Sequence, residues 1–279
     1  MENLTAADVR RILFEQNAAP SKRRGQNFLI DQGQVRVIAA AVLAHPADHY
    51  VEIGPGLGAL TRHLFAANTL IHGIEFDRAF CRYLREEFKT KDSFHLIEGD
   101  ALEVLGSWKD QKPFEGSVYL CGNLPYSIST DLLRSTALVP WIPGAVFLTQ
   151  LEFADRITTS ESLSSFAVYM RNFGSWKRLA KVKRGAFFPA PSVDSAVIEF
   201  ARSALQCESE VLEKVLRSSF QSRRKKLSNS WRLASEAQGL ELEQMLNAAE
   251  ECSIDTDLRA EEIPDTKYYE LTRAISRLA

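Results

Sequence analysis

Two short stretches hold the residues best placed to do chemistry: Val51-Glu52-Ile53-Gly54-Pro55-Gly56-Leu57-Gly58 and Asn123-Leu124-Pro125-Tyr126. In the first, the apolar run His49 to Ile53 predicts a buried parallel strand. Gly54, Gly56 and Gly58 then allow a sharp turn, with the backbone close to a ligand, before a helix that starts near Ala59. A second strand, predicted over Thr69 to Ile74, ends at Glu75, about 20 residues beyond the loop. That spacing is where a dinucleotide-type fold places the carboxylate that accepts from ribose hydroxyls. The bland alternative is a tight turn with an incidental surface Glu. A third strand, Phe94 to Glu98, delivers Gly99-Asp100-Ala101 to the same edge, where Asp100 either accepts from an adenine amine or caps the helix that follows.

The fourth predicted strand, Ser117 to Gly122, ends in Asn123-Leu124-Pro125-Tyr126. An aromatic amine is a poor nucleophile because its lone pair is conjugated into the ring. Two fixed acceptors, the Asn123 side-chain oxygen and the Leu124 carbonyl, can hold both amine hydrogens and favour a more tetrahedral nitrogen. Pro125 fixes the backbone, and Tyr126 offers a ring on which a base can stack. No general base is needed before attack, since the amine can lose its proton once the new bond has formed; the lack of an obvious catalytic His is therefore neutral. The alternative is a turn that closes a strand, with Tyr126 in the core.

The ligand of the glycine loop follows from its order. A pyrophosphate turn reads G-x-G-x-x-G and offers several N–H donors at a helix N-terminus. Here the order is G-P-G-x-G, and Pro55 contributes no donor. Glu52 places negative charge where a cation is welcome and a phosphate is not. Both features favour S-adenosylmethionine, a sulfonium cation, over NAD.

Together with Arg24-Gly25-Gln26-Asn27-Phe28-Leu29-Ile30-Asp31 upstream, these residues closely resemble the rRNA adenine N6-dimethyltransferases, in particular the bacterial small-subunit (KsgA/RsmA) type. The resemblance covers nearly the whole chain. It takes in Gln150 to Ile157, the segment Phe187-Phe188-Pro189-Ala190-Pro191-Ser192-Val193-Asp194-Ser195-Ala196-Val197, and Phe220 with Arg223-Arg224-Lys225-Lys226-Leu227. It implies that Asn27 and Leu29 lie over the amino-acid end of S-adenosylmethionine, Gly54 and Gly56 beneath it, Glu75 at the ribose, Asp100 and Ala101 at the adenine and Asn123 near the methyl. Asn123 to Tyr126 would receive the target adenine, and an aromatic of the Phe187-Phe188 pair would stack on its other face. The implied target is two adjacent adenosines, each methylated twice, in the 3′-terminal hairpin loop of 16S rRNA within an immature small ribosomal subunit. A loop suits such chemistry because an unstacked base can be presented to a pocket at modest cost. The sequence departs from the family's pattern at Ser127, where most relatives have Asn, at Leu151, which replaces a common Lys, and over Thr158 to Phe166, which lacks the usual Pro, Gly and Tyr. These positions bear on RNA docking and rate rather than on reaction type.

The rest of the chain must position these groups. With 279 residues, 45% hydrophobic and 25% charged, it can form one large α/β core and a smaller domain. Thr5 caps a helix carrying Val9, Ile12 and Leu13, and Asp31 caps one carrying Val35, Ile38, Ala39 and Val42. Strands and helices alternate from His49 to about Leu148, and Trp176 to Val182 with Val193 to Phe200 reads as a terminal antiparallel pair at the sheet edge. Beyond Arg202 the pattern is helical: Val211, Val215 and Leu216, then Leu240 to Ala249, then Tyr268 to Leu278. The expected fold is therefore α/β, a Rossmann-like class I methyltransferase sheet of seven mostly parallel strands over 1–202, with a small all-helical RNA-binding domain over 203–279.

A net charge of −2 and a pI near 6.3 exclude broad nonspecific affinity for nucleic acid. Local charge differs. Lys22, Arg23 and Arg24 cluster first; Arg171, Lys177, Arg178, Lys181, Lys183 and Arg184 form an acid-free stretch; Arg217, Arg223, Arg224, Lys225, Lys226 and Arg232 form another. Each is either a solvated face or a phosphate-binding patch, and together, flanking a predicted base pocket, they favour RNA. Cys81, Cys121, Cys207 and Cys252 and the five histidines show no ligand spacing, so no metal is expected. With no apolar leader or membrane-length stretch, the sequence reads as a cytoplasmic monomer. Competing readings are a large-subunit rRNA methylase of the resistance type, a non-catalytic nucleic-acid-binding or ribosome-assembly factor and, more distantly, an NAD-dependent oxidoreductase.

Overall fold

A computed structural model describes residues 4–20, 25–159 and 163–277. Among the described residues, the alternation of apolar runs and glycine turns produces nine strands: β1 (Phe28–Leu29), β2 (His49–Ile53), β3 (Leu70–Glu75), β4 (Phe94–Glu98), β5 (Val118–Asn123), β6 (Gly144–Gln150), β7 (Gly174–Val182), β8 (Phe187–Phe188) and β9 (Ser195–Arg202). Seven of them form one sheet in the order β4-β3-β2-β5-β6-β9-β7. The pairs β2/β3, β2/β5, β3/β4 and β5/β6 are parallel, whereas β9 runs antiparallel to β6. The strand order reverses direction at β2, which has β3 on one side and β5 on the other. This is the expected Rossmann-like sheet, and such a reversal leaves a crevice outside the carboxyl ends of the strands.

The intervening helices begin where short polar side chains can satisfy their first N–H groups. Thr5 and Asp8 form a reciprocal capping box for α1 (Ala6–Glu15), Asp31 caps α2 (Gln32–Leu43), and Asp77 caps α4 (Arg78–Glu87) after the short α3 (Thr61–Leu64). The helix expected near Ala59 thus starts later, because residues 57–60 are spent on the turn. Asp100 caps α5 (Ala101–Ser107), and α6 (Ser129–Leu138) follows β5. The sheet's core joins Tyr50, Ile71, Cys121, Val146, Leu148 and Val197 to Val35, Ile38 and Val42 of α2. A separate apolar cluster joins Leu4, Val9, Ile12 and Leu13 to Phe28, Leu57 and Phe80, so α1 packs directly on residues of the glycine loop and of α4. The two-stranded pairing of β1 with β8 sets Phe28 opposite Phe188 and Leu29 opposite Phe187; no periodicity announced it.

A division of the chain at residue 202 follows sequence order, but the compact units do not. One unit is Met1–Ala154 with Lys177–Arg202; the other combines Ser203–Ala279 with Asp155–Trp176. The boundary drawn from sequence is corrected accordingly. The second unit contains the second half of α7 (Leu151–Thr158), α8 (Ser165–Arg171), α9 (Ser209–Phe220), α10 (Leu227–Ala234), α11 (Leu242–Glu251) and α12 (Asp265–Ser276). Trp231, fully buried, donates through Nε1 to Ser219 Oγ at 2.9 Å. In α9 it is Leu212, not Val211, that joins Val215 and Leu216 in the core. Asn172 ties this unit internally by donating to the Cys207 carbonyl and accepting from the Gln206 and Cys207 N–H groups. No helix among the described residues is long and apolar enough to cross a membrane.

At the amino-terminal ends of the strands, His72 lies between His49, whose Nδ1 is 3.0 Å from His72 Nε2, and His95, whose ring centroid is 5.2 Å away. Phe114 packs on His49 and on His72. Burial, with the neighbouring His49 and His95 as smaller causes, pushes His72 down to about 4. The unfolded chain therefore takes up this proton first, so stability is full above the ordinary histidine range near 6.5 and is lost as pH falls towards 4. Urea unfolding at pH 7.5, 6 and 5 should show stability declining in the wild type, with a shallower decline in His72→Phe; equal slopes would remove His72 as the cause.

Candidate active site

The carboxyl ends of β2, β3, β4 and β5 open on one cavity of about 320 Å³ in the larger unit, within the usual range for small-molecule sites. Gly25 to Leu29, Gly54 to Leu57, Glu75 to Asp77, Gly99 to Ala101, Asn123, Pro125 and Ser127 all contribute to its lining. Thus Asn27, Leu29, Gly54, Gly56, Glu75, Asp100, Ala101 and Asn123, separated by up to about a hundred residues along the chain, meet around one space. Leu124 and Tyr126 stand just outside the lining. The Leu124 side chain is buried and its N–H is committed to the Leu148 carbonyl at 2.9 Å.

Glu75 organises the floor. Its Oε2 accepts from the Gly56 N–H at 3.0 Å and its Oε1 from the Asp77 N–H at 2.8 Å, so one carboxylate ties the glycine loop to the turn after β3. Gly56 adopts φ +59°, a conformation that a side chain disfavours, and this turns its N–H towards Glu75. Burial raises the Glu75 pKa, opposed by these backbone donors. Asp100 caps α5 by accepting from the Leu102 N–H at 2.8 Å, and it also lines the cavity. Arg62, which sequence reasoning missed, braces the loop from behind. It is buried and donates to the Leu57 carbonyl at 2.6 Å, to Tyr83 Oη at 2.9 Å and to Glu87 at 2.7 Å. An isolated Arg four residues into a helix-like segment gives no periodic signal of such a role.

Asn123 is oriented by a hydrogen bond: its Nδ2 donates to the Asn27 carbonyl at 2.9 Å. With the amide nitrogen so committed, Oδ1 is the acceptor available to an incoming amine. Asn27 in turn donates from Nδ2 to the Gly25 carbonyl at 3.0 Å. Gly25 has φ +62°, and a Cβ there would lie 3.2 Å from the Tyr126 nitrogen, so glycine lets this segment press against the Pro125-Tyr126 backbone. Tyr126 is half-buried, its hydroxyl 2.6 Å from Ser195 Oγ.

Phe187 and Phe188 separate in role. Phe187 packs inside the main core at 3% exposure and is removed as a stacking candidate. Phe188 remains partly accessible, with the Arg10 guanidinium 4.5 Å from its ring centroid. Among the basic candidates, Lys22, Arg23 and Arg24 lie outside the described residues. Lys181 pairs with Asp194 at 3.0 Å, and Lys183 and Arg184 follow at the end of the same strand. Arg171, counted with them by sequence, instead turns inward within the helical unit, donating to the Ile157 and Thr159 carbonyls and pairing with Asp265 at 3.2 Å. Arg223, Arg224 and Lys225 are in or beside the exposed turn before α10, and Lys226 pairs with Asp257 at 3.1 Å.

The charge of the cavity decides what it suits. Its described lining contains Glu52, Glu75, Asp77 and Asp100 and no Lys, Arg or His. A diphosphate would meet no cation there, whereas a sulfonium with ribose hydroxyls and an adenine amine meets acceptors and apolar walls such as Phe28, Ile53, Leu57 and Phe80. The residues present therefore fit S-adenosylmethionine. Among the described residues, no group of His, Cys, Asp and Glu is arranged to hold a metal ion.

Residues 19–273 match the family described as Ribosomal RNA adenine dimethylase. The Ribosomal RNA small subunit methyltransferase A of Moorella thermoacetica is 32% identical over 281 residues, covering 95% of each chain. Its namesake in Pelotomaculum thermopropionicum is 36% identical over 270 residues, covering 91% of each. Among solved structures, a dimethyladenosine transferase from Plasmodium falciparum superposes with a TM-score of 0.72 at 20% identity, covering 88% of this chain and 95% of that one. The 23S rRNA methyltransferase ErmE gives 0.68 at 24% identity, covering 90% and 100%. At those identities the two structures speak for the fold.

Glu52 gives this cavity a pH dependence. Its side chain is 2% exposed and accepts from Thr61 Oγ1 at 2.5 Å. Burial, reinforced by the Glu75 charge, pushes it up to about 7. A bound cation favours the ionised form, so affinity should be full above pH 7 and fall as pH drops below it. Calorimetric titration of S-adenosylmethionine at pH 8, 7 and 6 should show that loss, and Glu52→Gln should flatten it; a wild-type dissociation constant independent of pH would uncouple Glu52 from the ligand.

Proposed function

This chain belongs to the ribosomal RNA adenine dimethylase family, an S-adenosylmethionine-dependent methyltransferase by that membership, and from this premise we propose that its target is the pair of adjacent adenosines in the 3′-terminal hairpin loop of 16S rRNA. The small-subunit assignment rests on relatives of that name aligning over more than nine-tenths of both chains. The resistance-type reading is supported by likeness of fold alone. The partner is an immature small ribosomal subunit, met in the cytoplasm by a monomer.

The observation that carries the reaction is the hydrogen bond from Asn123 Nδ2 to the Asn27 carbonyl, which leaves Oδ1 to face the amine. Bound S-adenosylmethionine supplies an electrophilic methyl group. Asn123 Oδ1 and the Leu124 carbonyl accept the two amine hydrogens, drawing the nitrogen lone pair out of conjugation and towards the cofactor side of the cavity. Pro125, held by the Ile128 N–H and Ser129 Oγ bonds to its carbonyl, keeps those acceptors still. Tyr126 and Phe188 take the faces of the base. Asn27 and Leu29 cover the amino-acid end of the cofactor, Glu75 takes the ribose, and Asp100 and Ala101 take the adenine. After one transfer the monomethylated nitrogen still carries a hydrogen for one acceptor, so the same clamp serves the second. Lys181, Lys183 and Arg184 on one unit, and Arg223, Arg224, Lys225 and Lys226 on the other, contact phosphates.

Labelled methyl should pass from S-adenosylmethionine to unmethylated small subunits, with dimethyladenosine recovered on digestion. Asn123→Ala should abolish that transfer while cofactor binding stays weakened but measurable. Label confined to large-subunit RNA would reassign the target, and full activity in the variant would sink the clamp. Replacing Arg223, Arg224, Lys225 and Lys226 together by Ala should flatten the salt dependence of RNA binding, with each lost phosphate contact lowering the slope by about 0.7–0.9. An unaltered slope would return the cluster to a solvated face.

A further inference from the structure

The hydroxyl of Tyr126 does not end in solvent or in the cavity. It meets Ser195 Oγ at 2.6 Å, and Ser195, at the first position of β9, is completely buried. The serine is itself held without slack. Its strand is registered against β6 with Ser195 opposite Gln150. The residue before it, Asp194, is fixed from three sides: its carbonyl accepts from the Leu151 N–H at 3.0 Å, its Oδ1 from the Arg184 N–H at 3.1 Å, and its Oδ2 is 3.0 Å from Lys181 Nζ.

The tyrosine backbone is fixed too. The Pro125 carbonyl accepts from Ile128 N–H and Ser129 Oγ, and Gly25 presses on the Tyr126 nitrogen. The freedom left to Tyr126 is rotation about its two side-chain torsions, and one hydrogen bond at the far end of the ring removes it. A phenol can stack on a base in many orientations, whereas the adjacent acceptors of Asn123 and Leu124 tolerate few. A stacking ring next to a clamp must therefore be held as firmly as the clamp.

We propose that Ser195 is a positioning residue for methyl transfer, which acts by fixing the plane of the Tyr126 ring against the target adenine. This rests on the functional reading above, in which Tyr126 stacks on that base. Asp194 and its Lys181 and Arg184 contacts extend the brace to the strand end that carries the basic residues. Docking of phosphate at that end and the orientation of the base are then set by one rigid segment.

The test compares wild type, Ser195→Ala, Tyr126→Phe and the double variant on small subunits under single-turnover conditions, with cofactor binding and thermal unfolding measured alongside. Tyr126→Phe keeps the ring and removes only its hydroxyl. Each single variant should lose about tenfold in the rate of transfer with little change in cofactor affinity, and the double variant should be no slower than either, because both remove the same bond. Ser195→Thr, which restores a hydroxyl, should recover part of the rate. A lowered unfolding temperature with an unchanged transfer rate in Ser195→Ala would overturn the proposal, leaving the bond a matter of stability, as would multiplicative losses in the double variant. Wild-type enzyme that transfers nothing to small subunits would instead overturn the functional reading, and this assignment with it.

Discussion

The site depends on how closely β2 and β5 run together at their carboxyl ends. Ile53 stands opposite Gly122, and a Cβ at that glycine would lie 2.4 Å from the Ile53 carbonyl oxygen. With no side chain between them the strands stay paired to the last residue of β2, and the chain leaves each in a different direction: one into the glycine turn, the other into Asn123-Leu124-Pro125-Tyr126. A cavity floor and the proposed amine clamp thus begin a strand spacing apart, near 4.8 Å. The placement is set by the sheet's hydrogen bonds and needs no long side chain to reach across.

Charge is distributed to match. Acidic groups are gathered where a cation is to sit and are kept from water, which is why Glu52 and Glu75 both have raised pKa values. Part of the basic charge is spent within the fold: Lys181 and Lys226, both exposed, pair with Asp194 and Asp257, and Arg171 turns inward to Asp265. This reconciles a net charge of −2 with a substrate that is a polyanion.

Strands β2 to β5 were legible in the sequence because each is a short apolar run that gives way to Gly, Glu or Asn, and the residues that line the cavity stand at or just after those ends. What was not legible involves single side chains meeting across long sequence separations. Ser195 reads as an ordinary strand residue until it is found beside Tyr126, 69 residues earlier. Arg62 reads as a surface charge until it is found bonded to the turn. Phe187 and Phe188 have identical side chains, and strand alternation alone buries the first and leaves the second accessible. The grouping of Asp155–Trp176 with the C-terminal helices was hidden because α7 and α8 resemble the sheet's own helices in composition and length.

Several ligand-facing groups also hold the fold. Glu75 closes the turn after β3 onto the glycine loop, and Asp100 starts a helix, with bonds that need no cofactor to form. A lineage that abandoned methylation would still be selected to keep both, since losing either would cost folding before any activity was at stake. Preservation of these two acids in a distant relative is therefore a record of architecture, and catalytic ancestry has to be read from positions with no such second employment.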